Sequence, residues 1–343
     1  MSSLIGGSMD HNADQGKRSL QLMPRSPFML ALVANLIWGT SFLASKYTLR
    51  VWGPFTASAL RFALALIGML LILPGMGFPI QIPRTKKAWT RIFWVGLTGF
   101  GVLYPLQLAG LMWIPSSLSA AIMLTSPLFV LLLSTGFLQE SLSTQKVIAI
   151  VTGIIGGIIL VNPANLPEST WIMGAIPQLL KGVLLTLGAS LSLAVSVLAT
   201  RSASREMDST SVTFWSMGVG VIVLLPLTLF ERPRVYPHEE LLHAALALIF
   251  LALFCSVFAF LMWNRAIKMT TPQNIASTMH IKTPVAVVLG AMVANETLSL
   301  PMITGTILIS FAVWLSQYKR NKAPNTVIKF ITKLSTAIQR AML

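Results

Sequence analysis

Cysteine occurs once in the 343 residues, at Cys255. One thiol excludes an intramolecular disulfide and any centre built on a cysteine cluster, and inside its apolar run Cys255 reads as a small buried hydrophobe. Acid is almost as scarce: ten Asp and Glu stand against 25 Lys and Arg, and none of the ten falls inside a predicted span. Paired carboxylates for intramembrane acid–base or metal chemistry are therefore missing. HExxH, GxSxG and Walker sequences do not occur, which removes the commonest hydrolase chemistries and ATP drive. Charged residues as a whole make up 10% of the chain, far below the roughly 25% of a soluble domain. With 55% apolar residues, the composition is that of a polytopic membrane protein. The net charge of +15 is spread over short loops and tails instead of one stripe, so nucleic acid is not an expected partner.

What is present is a series of apolar runs, at about 28–47, 54–73, 91–112, 116–138, 145–161, 178–200, 211–230, 241–263, 273–294 and 301–318. Each is close to the ~20 residues that a spanning helix needs. The expected fold class is all-α, an integral membrane protein of ten transmembrane helices, with no room for a separate soluble domain. Residues 1–27 read as a polar cytoplasmic tail, since no apolar run precedes Phe28 and a cleaved signal peptide would need one. Placing both termini in the cytoplasm puts 18 Lys and Arg on that side against Arg50, Arg232 and Arg234 on the other. The positive-inside rule favours that orientation, and the expected location is the plasma membrane, the inner membrane of a bacterium.

The chain also contains itself twice. Residues 115–140 and 272–296 align Pro115 with Pro272, Pro127 with Pro284 and Glu140 with Glu296, and Asn35-Leu36 aligns with Ser190-Leu191, at offsets of 155 to 157 residues. Five helices per copy is an odd number, so the second copy enters the membrane upside down. Inverted repeats of this kind put transporter sites near the midplane, between the repeats.

The residues Asn35-Leu-Ile-Trp-Gly-Thr-Ser-Phe with Lys46, Leu60-Arg61-Phe62, the Ala109 to Pro127 spacing ending in Glu140-Ser-Leu, and its echo from Ala266 to Pro284 ending in Glu296-Thr-Leu carry a resemblance. The chain resembles the EamA family of the drug/metabolite transporter superfamily over about residues 28–318. The resemblance implies two inverted five-helix bundles, 28–161 and 178–318, with a cavity lined by helices 1, 3, 4, 6, 8 and 9 and a scaffold of helices 5 and 10. Members mostly export small metabolites, amino acids among them. His280 and Lys282 in helix 9 depart from the usual pattern.

Lys282 is the sharpest candidate. At 1.5 Å per residue it lies roughly 13 Å into helix 9, near the middle of a core about 30 Å thick, where a charge must face water, a counter-ion or a substrate. It is either a structural cation or the anchor for a negative group. His280, two residues away, points to nearly the opposite side of an ideal helix; it is a packing histidine first and a cavity residue or proton relay second. Asn35 and Trp38 share a stripe of helix 1, Tyr104 and Gln107 flank Pro105 in helix 3, and Trp263 and Asn264 close helix 8. Each either touches substrate or holds helices together. Arg61, Lys46 and Lys181 read as structural cations within snorkelling reach of one surface. Glu140 and Glu296 read as N-terminal caps of helices 5 and 10, Gly153, Gly156 and Gly157 as a packing face, and residues 327–342 as a basic amphipathic helix on anionic lipid.

The expected function is a secondary transporter, an exporter of an amino-acid-like or other anionic or zwitterionic metabolite by alternating access. A membrane-embedded enzyme and a structural or lipid-interacting protein are the alternatives. No catalytic, cofactor-binding or metal-binding residues are assigned. The expected partners are a small-molecule substrate and membrane lipid, and a homodimer is allowed.

Overall fold

Helix ends fall where proline, glycine and short polar side chains permit them. The computed structural model describes residues 26–76, 80–138, 144–160, 175–231, 236–270 and 275–317. Helices α1 (Pro27–Thr48) and α2 (Pro54–Gly75) open with proline in the first turn, where a missing N–H costs nothing. Helix α3 (Lys86–Leu111) starts at Thr85, whose hydroxyl accepts from the Ala88 N–H at 3.1 Å. Helix α4 is split into Ser116–Met123 and Ser126–Leu138. There follow α5 (Thr144–Leu160), α6 (Ala175–Ala203) and α7 (Ser209–Thr228), the last capped by Asp208 through the Thr210 N–H. Helix α8 is His238–Met269, α9 is a 3₁₀ turn Ala276–Ile281 running into Lys282–Ala294, and α10 is Leu300–Gln317. No strand occurs among the described residues, and the chain is an all-α membrane protein. Eight of these helices are long and apolar enough to cross a bilayer, while α5 and α9 are shorter apolar helices.

Four helices are irregular, and three of the irregularities have a proline as their cause. Pro105 offers no N–H to the Gly101 carbonyl, and α3 widens to a π-helix over Leu97–Val102 just before it. Pro127 cannot donate to Met123, where the first piece of α4 stops. Pro284 cannot donate to His280, inside the 3₁₀ segment of α9. These are the expected results of deleting one rung of the i to i−4 ladder. Helix α8 has its π segment at Leu251–Phe258 without a proline; there the Ser256 hydroxyl donates to the Leu251 carbonyl five residues back at 3.0 Å.

Packing follows a regular scheme. Helix α1 lies on α8 and α9, and α6 lies on α3 and α4; α2 pairs with α7, and α5 with α10. Exchanging the first five helices for the last five leaves this scheme unchanged. The α5–α10 pair approaches closely because a Cβ on Gly156 would sit 3.0 Å from the Gly305 carbonyl and one on Gly305 2.8 Å from the Gly156 carbonyl. Gly153 also packs, against Leu128, but Gly157 faces open space and is not part of that seam. One apolar cluster joins α4, α5, α6 and α10 through Leu118, Leu160, Val183 and Ile309; a second joins α2, α3, α7 and α8 through Phe62, Phe100, Met217 and Val257.

Three further expectations need correction. Helices α3 and α8 extend five and six residues further at their Lys86 and Met269 ends than the apolar runs do, because Lys86–Thr90 and Asn264–Lys268 continue the helix with charged and polar side chains past the apolar stretch. Glu296 does not cap α10, whose first-turn Met302 N–H is taken by the Ser299 hydroxyl at 3.2 Å; it caps α4 instead. Arg61 does not snorkel, being only 3% exposed and turned inward. Glu140 and residues 327–342 lie outside the described residues.

Candidate substrate site

The 3₁₀ turn at the start of α9 hands over to regular helix at Lys282, and α1 approaches α9 at the same level. Gly39 permits that approach, since a Cβ on it would lie 2.6 Å from the Val285 Cβ and 2.9 Å from the Lys282 carbonyl. Its neighbour Trp38 is thereby brought under the lysine, with the Lys282 Nζ 5.2 Å from the indole centroid. The indole N–H donates to the Cys255 carbonyl at 2.9 Å, within the π segment of α8, and the ring packs on Phe260 and Trp263 at centroid distances of 5.2 and 5.7 Å. An ammonium over an indole face gains about 0.5–2 kcal/mol. That is less than the several kcal/mol that desolvating it costs.

Arg61 enters from α2. Its Nε–H donates to the Ser256 hydroxyl at 2.8 Å, and its guanidinium lies 4.7 Å from the Tyr104 ring and 5.5 Å from the Phe62 ring. Phe100 stacks on Tyr104 and meets Phe260, which joins the Arg61 group to the Trp38 group. Five of the singled-out residues and groups thus converge: Lys282, Trp38, Trp263, Tyr104 and, unforeseen as a site residue, Arg61. Cys255 and Ser256, consecutive on α8, hold Trp38 and Arg61 respectively.

The remaining candidates sit elsewhere. Asn35 is fully buried and donates to the Thr278 hydroxyl at 3.0 Å and the Ala31 carbonyl at 2.8 Å, fastening α1 to α9, while its Oδ1 has no hydrogen-bond partner among the described residues. Asn264 donates to the Thr213 hydroxyl at 3.0 Å and the Ser209 carbonyl at 3.4 Å, fastening α8 to α7. Gln107 is buried on α3. His280 is half-buried, and the 3₁₀ winding of about 120° per residue leaves it about 120° from Lys282 instead of the about 160° of an α-helix. An apolar groove lined by Leu36, Ile37, Thr40, Phe250, Pro284, Val285, Val288 and Leu289 opens outward between α1, α8 and α9 and includes none of the converging groups.

The acidic groups among the described residues lie at or beyond helix ends. Glu206 pairs with Arg91 at 2.6 Å and Asp208 with Lys268. Glu231 accepts from the Phe55 and Thr56 N–H groups at 2.7 and 2.9 Å, capping α2, and Glu239 and Glu240 lie in the first turn of α8. Glu296 accepts from Lys46 at 3.0 Å, from the Ser116 N–H and hydroxyl at 2.7 and 2.8 Å, and from the Ser117 N–H and hydroxyl at 3.0 and 2.6 Å. Burial pushes its carboxyl up, but Lys46 and the serine donors outweigh that and hold it at about 2. Lys282 and Arg61 are left with no carboxylate partner among the described residues. Groups of three or more metal-ligating side chains do not occur there either.

Comparison with known proteins agrees with this architecture. A solved crystal structure superposes with a TM-score of 0.58 at 19% identity, covering 86% of this chain and 97% of that one, which fixes the fold. Among curated proteins, an uncharacterized transporter of Archaeoglobus fulgidus is 26% identical over 85% of this chain and 98% of its own length. Protein PecM of Dickeya dadantii is 25% identical over 84% and 91%, and the uncharacterized inner membrane transporter YedA of Escherichia coli 28% identical over 82% and 87%. The profile of the EamA-like transporter family matches twice, at residues 25–162 and 180–318. The two matches together span most of the chain, and the chain belongs to the EamA-like transporter family.

Proposed function

We propose that this transporter is a secondary carrier that exports a small anionic or zwitterionic metabolite by alternating access, with Lys282 as the anchor for the negative group. The observation that carries this reading is the Lys282 ammonium over Trp38 with no carboxylate partner among the described residues. Such a cation is costly while it stands alone, and a substrate carboxylate or phosphate supplies both the counter-charge and a hydrogen-bond acceptor. The exchangeable packing of α1–α5 and α6–α10 supports two inverted repeats of five spans, ten in all. Rocking one repeat against the other would then open the site to each side in turn. The excess of basic residues on one side supports cytoplasmic termini, and similarity to an inner membrane transporter of Escherichia coli supports an inner-membrane location.

Substitution Lys282→Met in protein reconstituted into liposomes tests the anchor. It keeps length and helix propensity while removing the charge-assisted hydrogen bond, a loss of about 1.5–3 kcal/mol. Affinity for anionic and zwitterionic substrates should fall roughly ten- to a hundredfold, with cationic substrates unaffected. Unchanged transport of every substrate by the folded variant would refute the anchor role.

A further inference from the structure

Arg61 is the charge that the proposed anchor does not use. A guanidinium stays protonated at any physiological pH, and this one is 3% exposed. Its Nε–H is satisfied by Ser256, but the fork of Nη1 and Nη2 has no hydrogen-bond acceptor among the described residues, only the faces of Tyr104 and Phe62. That fork presents parallel N–H groups in the geometry that a carboxylate or phosphate accepts. Arg61 and Lys282 reach consecutive residues of α8: Arg61 bonds the Ser256 hydroxyl, and Lys282 lies over Trp38, whose indole N–H donates to the Cys255 carbonyl. The bundle centre thus carries two positive charges, an aromatic wall between and around them, and no acid among the described residues to offset either.

From this pairing we infer that the transported compound bears two acidic groups, one held by Lys282 and the other by the Arg61 fork, on an apolar or aromatic body that lies against Trp38 and Tyr104. The inference rests on the anchor role of Lys282. A monoanion would neutralise one cation and leave the other facing it; a dianion neutralises both. The shared chemistry is a pair of carboxylates or phosphates, and the apolar body follows from the rings of Trp38, Phe100, Tyr104 and Phe260 that separate the cations.

Terephthalate and benzoate, the same ring with two carboxylates and one, are the probes, titrated calorimetrically into the full-length protein in detergent. The wild type should bind terephthalate at least about tenfold more tightly than benzoate. Arg61→Gln should abolish that preference, whereas Arg61→Lys, which keeps the charge but not the fork, should retain part of it. Melting curves establish that the variants are folded; if Arg61→Gln is not, the wild-type preference and its survival in Arg61→Lys decide. Equal affinity for the two probes in the wild type, binding of neither at millimolar concentration, or loss of the preference in Arg61→Lys would overturn the inference. Lys282→Met separates it from the reading beneath. If that variant weakens both probes while Arg61→Gln changes nothing, only the dianion inference fails; if it weakens neither, the anchor itself fails.

Discussion

Replacing Glu296 by glutamine should destabilise the protein by a calculable amount with a distinctive pH dependence. The carboxylate ties three elements at one end of the bundle: Lys46 of α1, the first turn of α4, and the α9–α10 connection. Glutamine keeps one acceptor oxygen, and the Ser117 hydroxyl can turn to accept from the new NH₂, but the Ser117 N–H is left facing a donor. Hydrogen bonds to a charged acceptor contribute about 1.5–3 kcal/mol each and an orphaned buried N–H costs about 1–3. Lys46 is 31% exposed and stays solvated, which removes the upper part of the penalty for splitting an ion pair. A net loss of about 2–4 kcal/mol remains, or a melting temperature lower by about 3–6 °C. Because the folded carboxyl is depressed from 4.5 to about 2, its stabilisation is fully present above pH 4.5 and disappears as pH falls through about 2. Thermal unfolding of wild type and Glu296→Gln in detergent should show a constant gap from neutral pH to about 4.5 that narrows below it. Melting of the two within about 1 °C of each other at neutral pH would refute the energetic account, and a gap that stays undiminished in acid would show that shape, not charge, is lost.

Two further expectations are open to simple measurement. Gly39→Val puts branched carbon where Val285 and the Lys282 carbonyl already sit, an overpacking worth about 1–3 kcal/mol; binding should fail more severely than the melting temperature drops, and wild-type affinity in this variant would show that α1 and α9 need not touch. Reporter fusions at Thr85 and Ser204 should read cytoplasmic and a fusion at His238 external, with the opposite pattern ruling out the proposed orientation.

Proline and glycine made the helix ends readable: α1, α2 and α10 begin and end within two residues of the apolar runs. The ends of α3 and α8 were not, since hydropathy marks where apolar side chains stop and not where the backbone ladder stops. Pro127 and Pro284 marked their helices as irregular, but nothing in the residues of α8 announces its π segment. That segment carries Ser256, the partner of Arg61. Helical rise gives the depth of Arg61, but the direction of its side chain depends on Ser256, 195 residues away. Glu296 was misassigned for the same reason: its partners at Ser116 and Ser117 are 180 and 179 residues distant, and a carboxylate at a helix junction looks from sequence like a cap for the nearer helix. Lys282 is conspicuous in the sequence because its position within an apolar run makes any charge there stand out.

The interruptions in α3, α4, α8 and α9 also have a mechanical meaning. An unbroken helix behaves as a stiff rod, and a rod held at both bilayer faces must tilt as a whole. The π segments occupy the middle of α3 and α8, with about equal lengths of regular helix on either side, and α4 and α9 change winding beside Thr125 and Lys282. Compliance is therefore concentrated in one layer, and the halves above and below it can act as separate levers. Cys255 and Ser256 lie in that layer and grip Trp38 and Arg61, so a bend there displaces the charged groups by the same motion that swings the helix ends. Occupancy and access would then share one joint, and no signal need travel along the bundle to couple them.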